Sequence, residues 1–476
     1  MRHTVHGRPA APVLGALLLA ALSYALAQTM VAPALPEIGH EYDASRSATA
    51  WLLTGYLLSA SVCTPLAGKL GDLYGKGRVL TVVLVVFSIG SAICALGSTI
   101  GVLIAGRVIQ GVAGGVFPLA FGIVNDELPV DRRPVAIGLI SAMFGIGGGI
   151  GLPLSGVIVD HVDTSWLFWI GLMALPAAAA TWYLVPPSPA RERTRVDWRG
   201  ATVLSLGLIA VLYGISKANA WGWDSARVVL LLGGGLVVLG GFLKLQARTP
   251  DPLVDVRVLR ERAVLATNVT GFLVGVAMFG SFLLVPQFVQ TEESAGYGFG
   301  LSVTEAGLVM LPSAMMMLIA GPLGGRLGAR FGFRFVLALG TILAAASFAL
   351  QAVAHSEVWH FIAGGVLVGF GISFAFASMA NLIVGAVDPR EVGIATGINT
   401  IMRTVGGAFG AALVTALLTA EVITSSGLPT EGAYTEAFAA SAVGCVLALG
   451  ASLMIPKPGH AHAGEARVPE AARQAA

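Results

Sequence analysis

Two arginines, Arg107 and Arg403, stand inside long apolar runs. Arg107 belongs to LIAGRVIQGVAGG, residues 103–115, where all but Arg107 and Gln110 are apolar or glycine. A guanidinium stays charged at neutral pH, and a low-dielectric medium penalises it heavily. Each therefore needs a partner or a task. The other polar side chains within apolar runs are few: Gln28, Tyr56, Gln110, Asn268, Gln287, Asn381 and Asn399, with Trp51 near Tyr56. Gln110 follows Arg107 by three positions and Arg403 follows Asn399 by four, so each pair shares a helix face. Such residues are candidates for a substrate cavity, and the plainer alternative for each amide is an interhelical hydrogen bond.

The acidic residues are the counterpart. All 26 fall in loops or near the ends of apolar runs. Glu37, Asp126, Asp160 and Glu305 come nearest to the interior and are the candidates for a proton site. Two guanidiniums without a deep carboxylate would favour anionic or strongly hydrogen-bonding neutral compounds over cations. Arg107 lies roughly five residues, or ~7–8 Å, into its run. It is open to several arrangements: snorkelling to an interface, neutralisation by an acid such as Glu37, satisfaction by amides and carbonyls, or availability to a ligand.

The elements that must position these residues follow from composition. The chain is 56% hydrophobic and 11% charged, with a mean hydropathy of +0.82. Soluble domains carry roughly 25% charge. Fourteen runs are long enough to cross a bilayer: 12–35, 49–69, 79–98, 102–124, 135–158, 165–185, 200–217, 227–246, 263–289, 304–325, 335–353, 358–385, 393–420 and 436–455. The segments between them are short, leaving no room for an extramembrane domain. If the N-terminus is cytoplasmic and the runs alternate, 23 of the 28 basic residues fall inside and three, Arg46, Lys217 and Arg227, outside. That bias predicts both termini in the cytoplasm. The sequence ALAQ at 25–28 has the look of a signal cleavage site, but the apolar run continues past it to a spanning length.

No CxxC, no Cys/His ligand spacing and no GxxxxGK phosphate loop occurs, and Cys63, Cys94 and Cys445 lie in apolar runs. The sequence therefore predicts no metal site, no cofactor, no ATP-driven pump and no enzyme. Its partners are expected to be a small-molecule substrate and the lipid bilayer, without nucleic acid, and the chain is expected to act as a monomer.

The chain also repeats internally. GKLGDLYGKGRVL (68–80) is similar to GPLGGRLGARFGFRFVL (321–337), which aligns Gly68 and Gly75 with Gly321 and Gly328. AIGLISAMFGIGGGIG (136–151) is similar to ATGINTIMRTVGGAFG (395–410). The reading is an N-terminal six-helix bundle over 1–190, a linker with two extra membrane helices over 191–262, a C-terminal six-helix bundle over 263–456 and a flexible cytoplasmic tail over 457–476.

Several motifs, in order, carry a resemblance to the major facilitator superfamily, and within it to the fourteen-helix drug:proton antiporters. GKLGDLYGKGR resembles the signature loop between helices 2 and 3, which implies that Gly68, Asp72, Gly75 and Arg78, with Lys76, form a cytoplasmic latch between two halves. LIAGRVIQGVAGG resembles the fourth-helix motif. GIGGGIGLPLSG (145–156) resembles the antiporter motif of helix 5, implying a hinge at Gly147, Gly151, Pro153 and Gly156. GIATGINTIMRTVGGAFGAAL resembles the thirteenth helix. The first helix departs from the family pattern L-D-x-T-I-V-N-V-A-L-P: Ala27 stands at the aspartate position and Ala32 at the asparagine position. The resemblance implies an all-α integral membrane protein of the bacterial plasma membrane that exports small amphipathic drugs or antibiotics by alternating access, with the proton gradient as its energy source. Export of a lipid or cell-envelope precursor, or an uncoupled or uptake porter for an anionic or neutral molecule, is the alternative.

Overall fold

The computed structural model describes residues 4–5, 8–186, 197–250, 252–388, 391–423 and 428–456. Part of the basic linker after residue 186, Arg390 and the 457–476 tail lie outside the described residues. Fourteen helices among the described residues are long and apolar enough to cross a membrane: α1 Ala11–Leu35, α2 Trp51–Tyr74, α3 Lys76–Ala95, α4 Ile100–Glu127, α5 Arg133–His161, α6 Trp166–Leu184, α7 Trp198–Trp221, α8 Ala226–Gln246, α9 Arg262–Gln290, α10 Thr304–Phe331, α11 Phe333–Val353, α12 Val358–Ala386, α13 Val392–Ala420 and α14 Glu431–Leu453. Besides helices, the described residues hold a two-residue β ladder, Thr4–Val5 with Arg8–Pro9, and an isolated bridge between Val422 and Pro429.

Local chemistry sets the helix ends. Ser45, Thr99, Asp197, Ser225 and Thr430 each accept a hydrogen bond from a backbone N–H of the first turn, which satisfies donors the helix cannot. Ser302 and Glu305 cap α10 reciprocally. Gly75 (φ +97°) and Gly332 (φ +91°) each end one helix and begin the next, a backbone conformation that side chains with a Cβ rarely adopt. By conformation, the counterpart of Gly75 is thus Gly332, not Gly328 as the repeat alignment suggested. The extra four residues make about one helical turn, so α10 runs further before its chain reverses.

Two helices bend where their sequence requires it. α1 breaks at Met30, between Ala10–Thr29 and Val31–Glu41; Pro33, just beyond, has no N–H to give to the preceding turn. α4 tightens to a 3-10 turn over Gly111–Gly115, where the glycines press against Ser59, Ala60, Thr64 and Ala67 of α2.

The two halves meet along crossed pairs. α5 packs against α10 along its length, and α2 against α13. At one end the approach is backbone to backbone: a Cβ on Gly68 would lie 2.8 Å from the carbonyl oxygen of Gly393, and Gly138 faces Gly321 in the same way. This end carries the Gly75 turn and is called the basic end below. The inserted hairpin lies over the α2–α13 seam. α7 touches both of these helices, whereas α8 packs chiefly on α7.

Candidate substrate cavity

A cavity of about 240 Å³ lies between the halves. Gln28, Thr29 and Ala32 of α1, Leu53, Tyr56 and Leu57 of α2 and Phe144 of α5 wall one side; Leu283 of α9 and Thr404, Gly407 and Ala408 of α13 wall the other. A smaller recess of about 10 Å³ adjoins it, sharing Gln28, Phe144 and Thr404, and is completed by Tyr24, Phe117, Met278, Thr400 and Arg403. Aromatic rings run across this level, Tyr24 to Phe117 (5.6 Å), Phe117 to Phe144 (5.9 Å) and Phe144 to Phe376 (5.8 Å).

The two arginines have different surroundings. Arg107 is wholly buried. Its Nε donates to the carbonyl of Leu52 (3.0 Å), and its Nη1 to the carbonyl of Ala27 (3.1 Å) and to Oε1 of Gln110 (2.7 Å). Gln110 in turn donates to the Ser91 hydroxyl (2.7 Å), and the Tyr56 ring lies 4.1 Å from the guanidinium carbon. Arg107 therefore neither snorkels nor pairs with Glu37, which is exposed. Carbonyls and one amide serve its Nε and Nη1, behind the cavity wall formed by Tyr56, while its Nη2 is buried without a hydrogen-bond partner.

Arg403 lies over the Phe376 ring instead, its guanidinium carbon 4.2 Å from the ring centre, at the side of the Phe144–Phe376 pair and 5.9 Å from the centre of Phe144. Its neighbour Asn399 faces α9, donating to Asn268 Oδ1 (3.2 Å) and to the Thr267 carbonyl (3.4 Å). Asn381 bonds back to Ala377 within α12 (2.8 Å). These three amides join or stiffen helices and line neither cavity. Gln287 is exposed, away from the cavity. Trp51 stacks on Tyr213 of α7 at 5.5 Å, so it holds the hairpin and does not line the cavity. Of the expected cavity residues, Gln28 and Tyr56 line the larger space and Arg403 the recess. The rest of the wall, Tyr24, Phe117, Phe144, Thr400 and Thr404 among it, was not singled out in the sequence, where each reads as ordinary span filling.

The acids lie elsewhere. Glu37, Asp160 and Glu305 are exposed; Asp160 accepts a long hydrogen bond from Thr304 across the halves (3.4 Å), and Glu305 is occupied by the Ser302 cap. Asp126 binds the Lys76 ammonium at 2.8 Å, and Asp72 lies 3.6 Å from the same ammonium. Lys76 is only 1% exposed. Asp72 is on the last turn of a continuous helix, Arg46–Tyr74, not in a loop as its sequence suggested, because the apolar pattern understates how far α2 extends. The cluster Asp72–Lys76–Asp126 ties α2, α3 and α4 of one half together, and Arg78 is exposed. The halves meet at this end through the Gly68–Gly393 and Gly138–Gly321 backbone contacts, and the Asp72 carboxylate lies close to Gly393 of the other half. Just beyond it, burial and the nearby carboxylates of Asp255 and Asp388 push the Glu391 pKa above its ordinary value, with Lys69 opposing.

The glycines of the α5 motif are packing surfaces in this structure. Gly147 rests on Ala25 and Gly151 on Thr29 of α1, whose hydroxyl donates to the Gly147 carbonyl (2.8 Å). Pro153 packs against Gly307 of α10, and Gly156 is buried.

An internally repeated bundle of membrane helices enclosing a central cavity between its halves is the architecture of a transporter. A profile of the Major Facilitator Superfamily matches residues 17–298 and 267–475. The chain belongs to that superfamily, whose members are transporters and not enzymes. It is 32% identical over 424 residues to an uncharacterized MFS-type transporter of Mycobacterium tuberculosis, covering 85% of this chain and 59% of that one, so it spans less than two thirds of that relative's length. The multidrug transporter protein MdtP of Bacillus subtilis is 26% identical over 411 residues (85% of this chain, 74% of the relative). The tetracenomycin C resistance and export protein of Streptomyces glaucescens is 28% identical over 428 residues (88% and 77%). The same fold is found in the crystal structure of the human organic anion transporter MFSD10 (TM-score 0.67, 17% identity, 94% of this chain and 100% of that one).

Proposed function

We propose that this transporter is a secondary active exporter of small amphipathic compounds, of the drug or antibiotic kind, working by alternating access in a bacterial plasma membrane. The observation that carries this reading is the central cavity: apolar walls from both halves, a few polar groups, and a backbone seam at the basic end that rigid-body rocking would open. Relatives named for multidrug transport and for tetracenomycin export support the direction and the substrate size. The distribution of Arg and Lys supports placing the basic end and both termini in the cytoplasm.

Proton coupling is part of the proposal, but not through a first-helix acid, since residue 27 is alanine. Among the four candidate acids, Asp126 alone is largely buried, and its pairing with Lys76 gives it a charge environment that helix movement would change. The test is a proteoliposome assay with an imposed pH gradient across a mixed substrate panel, alongside resistance profiling on overexpression. Gradient-driven accumulation of amphipathic compounds is the expected result; no gradient response for any compound would refute coupling, and no movement of any would refute the transport reading.

A further inference from the structure

We propose that Arg403 is the anchor for an anionic oxygen group, such as a carboxylate, on the transported compound; this rests on the central cavity being the transport site. Arg403 lies eleven residues into α13, about 16 Å along its axis, and is 9% exposed. Among the described residues it has no hydrogen-bond acceptor and no carboxylate within ion-pairing distance; its close contact is the Phe376 ring, 4.2 Å away, with Phe144 further off at 5.9 Å. The other buried cations are better served: Arg107 has two carbonyls and an amide, with only its Nη2 unpaired, and Lys76 has two carboxylates. A guanidinium carries five N–H donors in a fork that matches a carboxylate, and leaving them unpaired in a dry site is costly. The cost is offset if a guest supplies the acceptor.

The Arg403 recess, about 10 Å³, shares Gln28, Phe144 and Thr404 as walls with the central cavity, so a carboxylate reaching Arg403 from that cavity displaces one or more of these side chains. The Gln28 carboxamide oxygen is buried without a partner, so its amide can turn to donate from the opposite side. Thr400 and Thr404 also line the recess, but their hydroxyls donate within α13 to the carbonyls of Thr396 and Thr400 (3.0 Å each), so the donors come from Arg403 and Gln28; the larger cavity offers apolar walls for the body of the molecule. Two of the aromatic faces near the cavity that could receive a cationic compound already carry a resident cation, Arg403 on Phe376 and Arg107 on Tyr56. A cation would thus meet two resident positive charges and no carboxylate.

The test is equilibrium binding to the full chain in nanodiscs of three size-matched probes, 2-naphthoate, 2-naphthamide and 2-naphthylmethylammonium. Wild-type protein should bind the naphthoate roughly tenfold or more tighter than the ammonium, the scale of charge-assisted hydrogen bonds. Arg403→Gln should weaken naphthoate by a similar factor and leave the neutral amide nearly unchanged, and Arg403→Lys should restore only part. Equal binding of all three probes, tighter binding of the ammonium, or undiminished naphthoate binding by Arg403→Gln would overturn the anchor while leaving the cavity in place. Failure of all three to bind wild type would overturn the cavity as a transport site. If Arg403→Gln does not fold, the wild-type charge preference decides by itself.

Discussion

Arg107 donates to the main-chain carbonyl of Ala27 at 3.1 Å, and Ala27 occupies the position where the related antiporters carry an aspartate. The partner expected for the buried arginine is replaced by the backbone of the same residue. Ala27→Asp would therefore place a carboxylate beside an existing guanidinium. The expected outcome is a folded protein in which the preference for 2-naphthoate over 2-naphthylmethylammonium falls roughly tenfold, since one resident charge is neutralised. Arg107→Ala should instead destabilise, stranding the buried Gln110 amide oxygen at about 1–3 kcal/mol and emptying the space the guanidinium fills. Thermal melting in detergent reads the second, probe binding the first. An unchanged preference in Ala27→Asp would refute the electrostatic account.

The Lys76 ammonium is held by Asp126 at 2.8 Å and by Asp72 at 3.6 Å. Removing one partner from a buried pair typically costs about 3–5 kcal/mol. Lys76→Gln should lower the melting temperature clearly, and adding Asp126→Asn should recover part of the loss. The double-mutant cycle measures this coupling, and strict additivity would mean that the pair contributes little. Asp72→Asn, which keeps shape and lies near Gly393, should reduce transport with little effect on membrane insertion.

Gly68 leaves no room for a side chain against Gly393. Gly68→Val should keep the basic end apart and shift the population towards the conformation open there. Spin labels at exposed Tyr74 and Arg330, on opposite halves, would report a longer distance by pulsed electron resonance. An unchanged distance distribution would show that the seam does not limit closure.

Glu391 has its pKa raised by burial and by Asp255 and Asp388. Its ionised form is therefore disfavoured in this conformation relative to the unfolded chain, and the penalty is fully present above the raised value and relieved as the pH falls through it. Glu391→Gln should raise the melting temperature at pH 7.5, and the gain should fade as the pH approaches the ordinary carboxylate value of 4.5. A gain that grows on acidification would contradict the sign.

The membrane class, the fourteen spans and the two-half plan were legible in the sequence, because apolar length and the spacing of basic loops are properties of the chain alone. The pairing of Arg107 with Gln110 was also legible, since three positions along a helix share a face whatever surrounds them. The tertiary structure decided which arginine has hydrogen-bond acceptors. Two of those that Arg107 finds are the carbonyls of Ala27 and Leu52, and a carbonyl is the same at every residue, so nothing in the side-chain pattern announces it. The same holds for Trp51, turned onto the hairpin at Tyr213, and for Phe144 and Phe376, brought together beside Arg403 from different halves. Sequence ranks residues by what they can do; only packing brings together groups hundreds of residues apart and determines which polar groups remain unsatisfied.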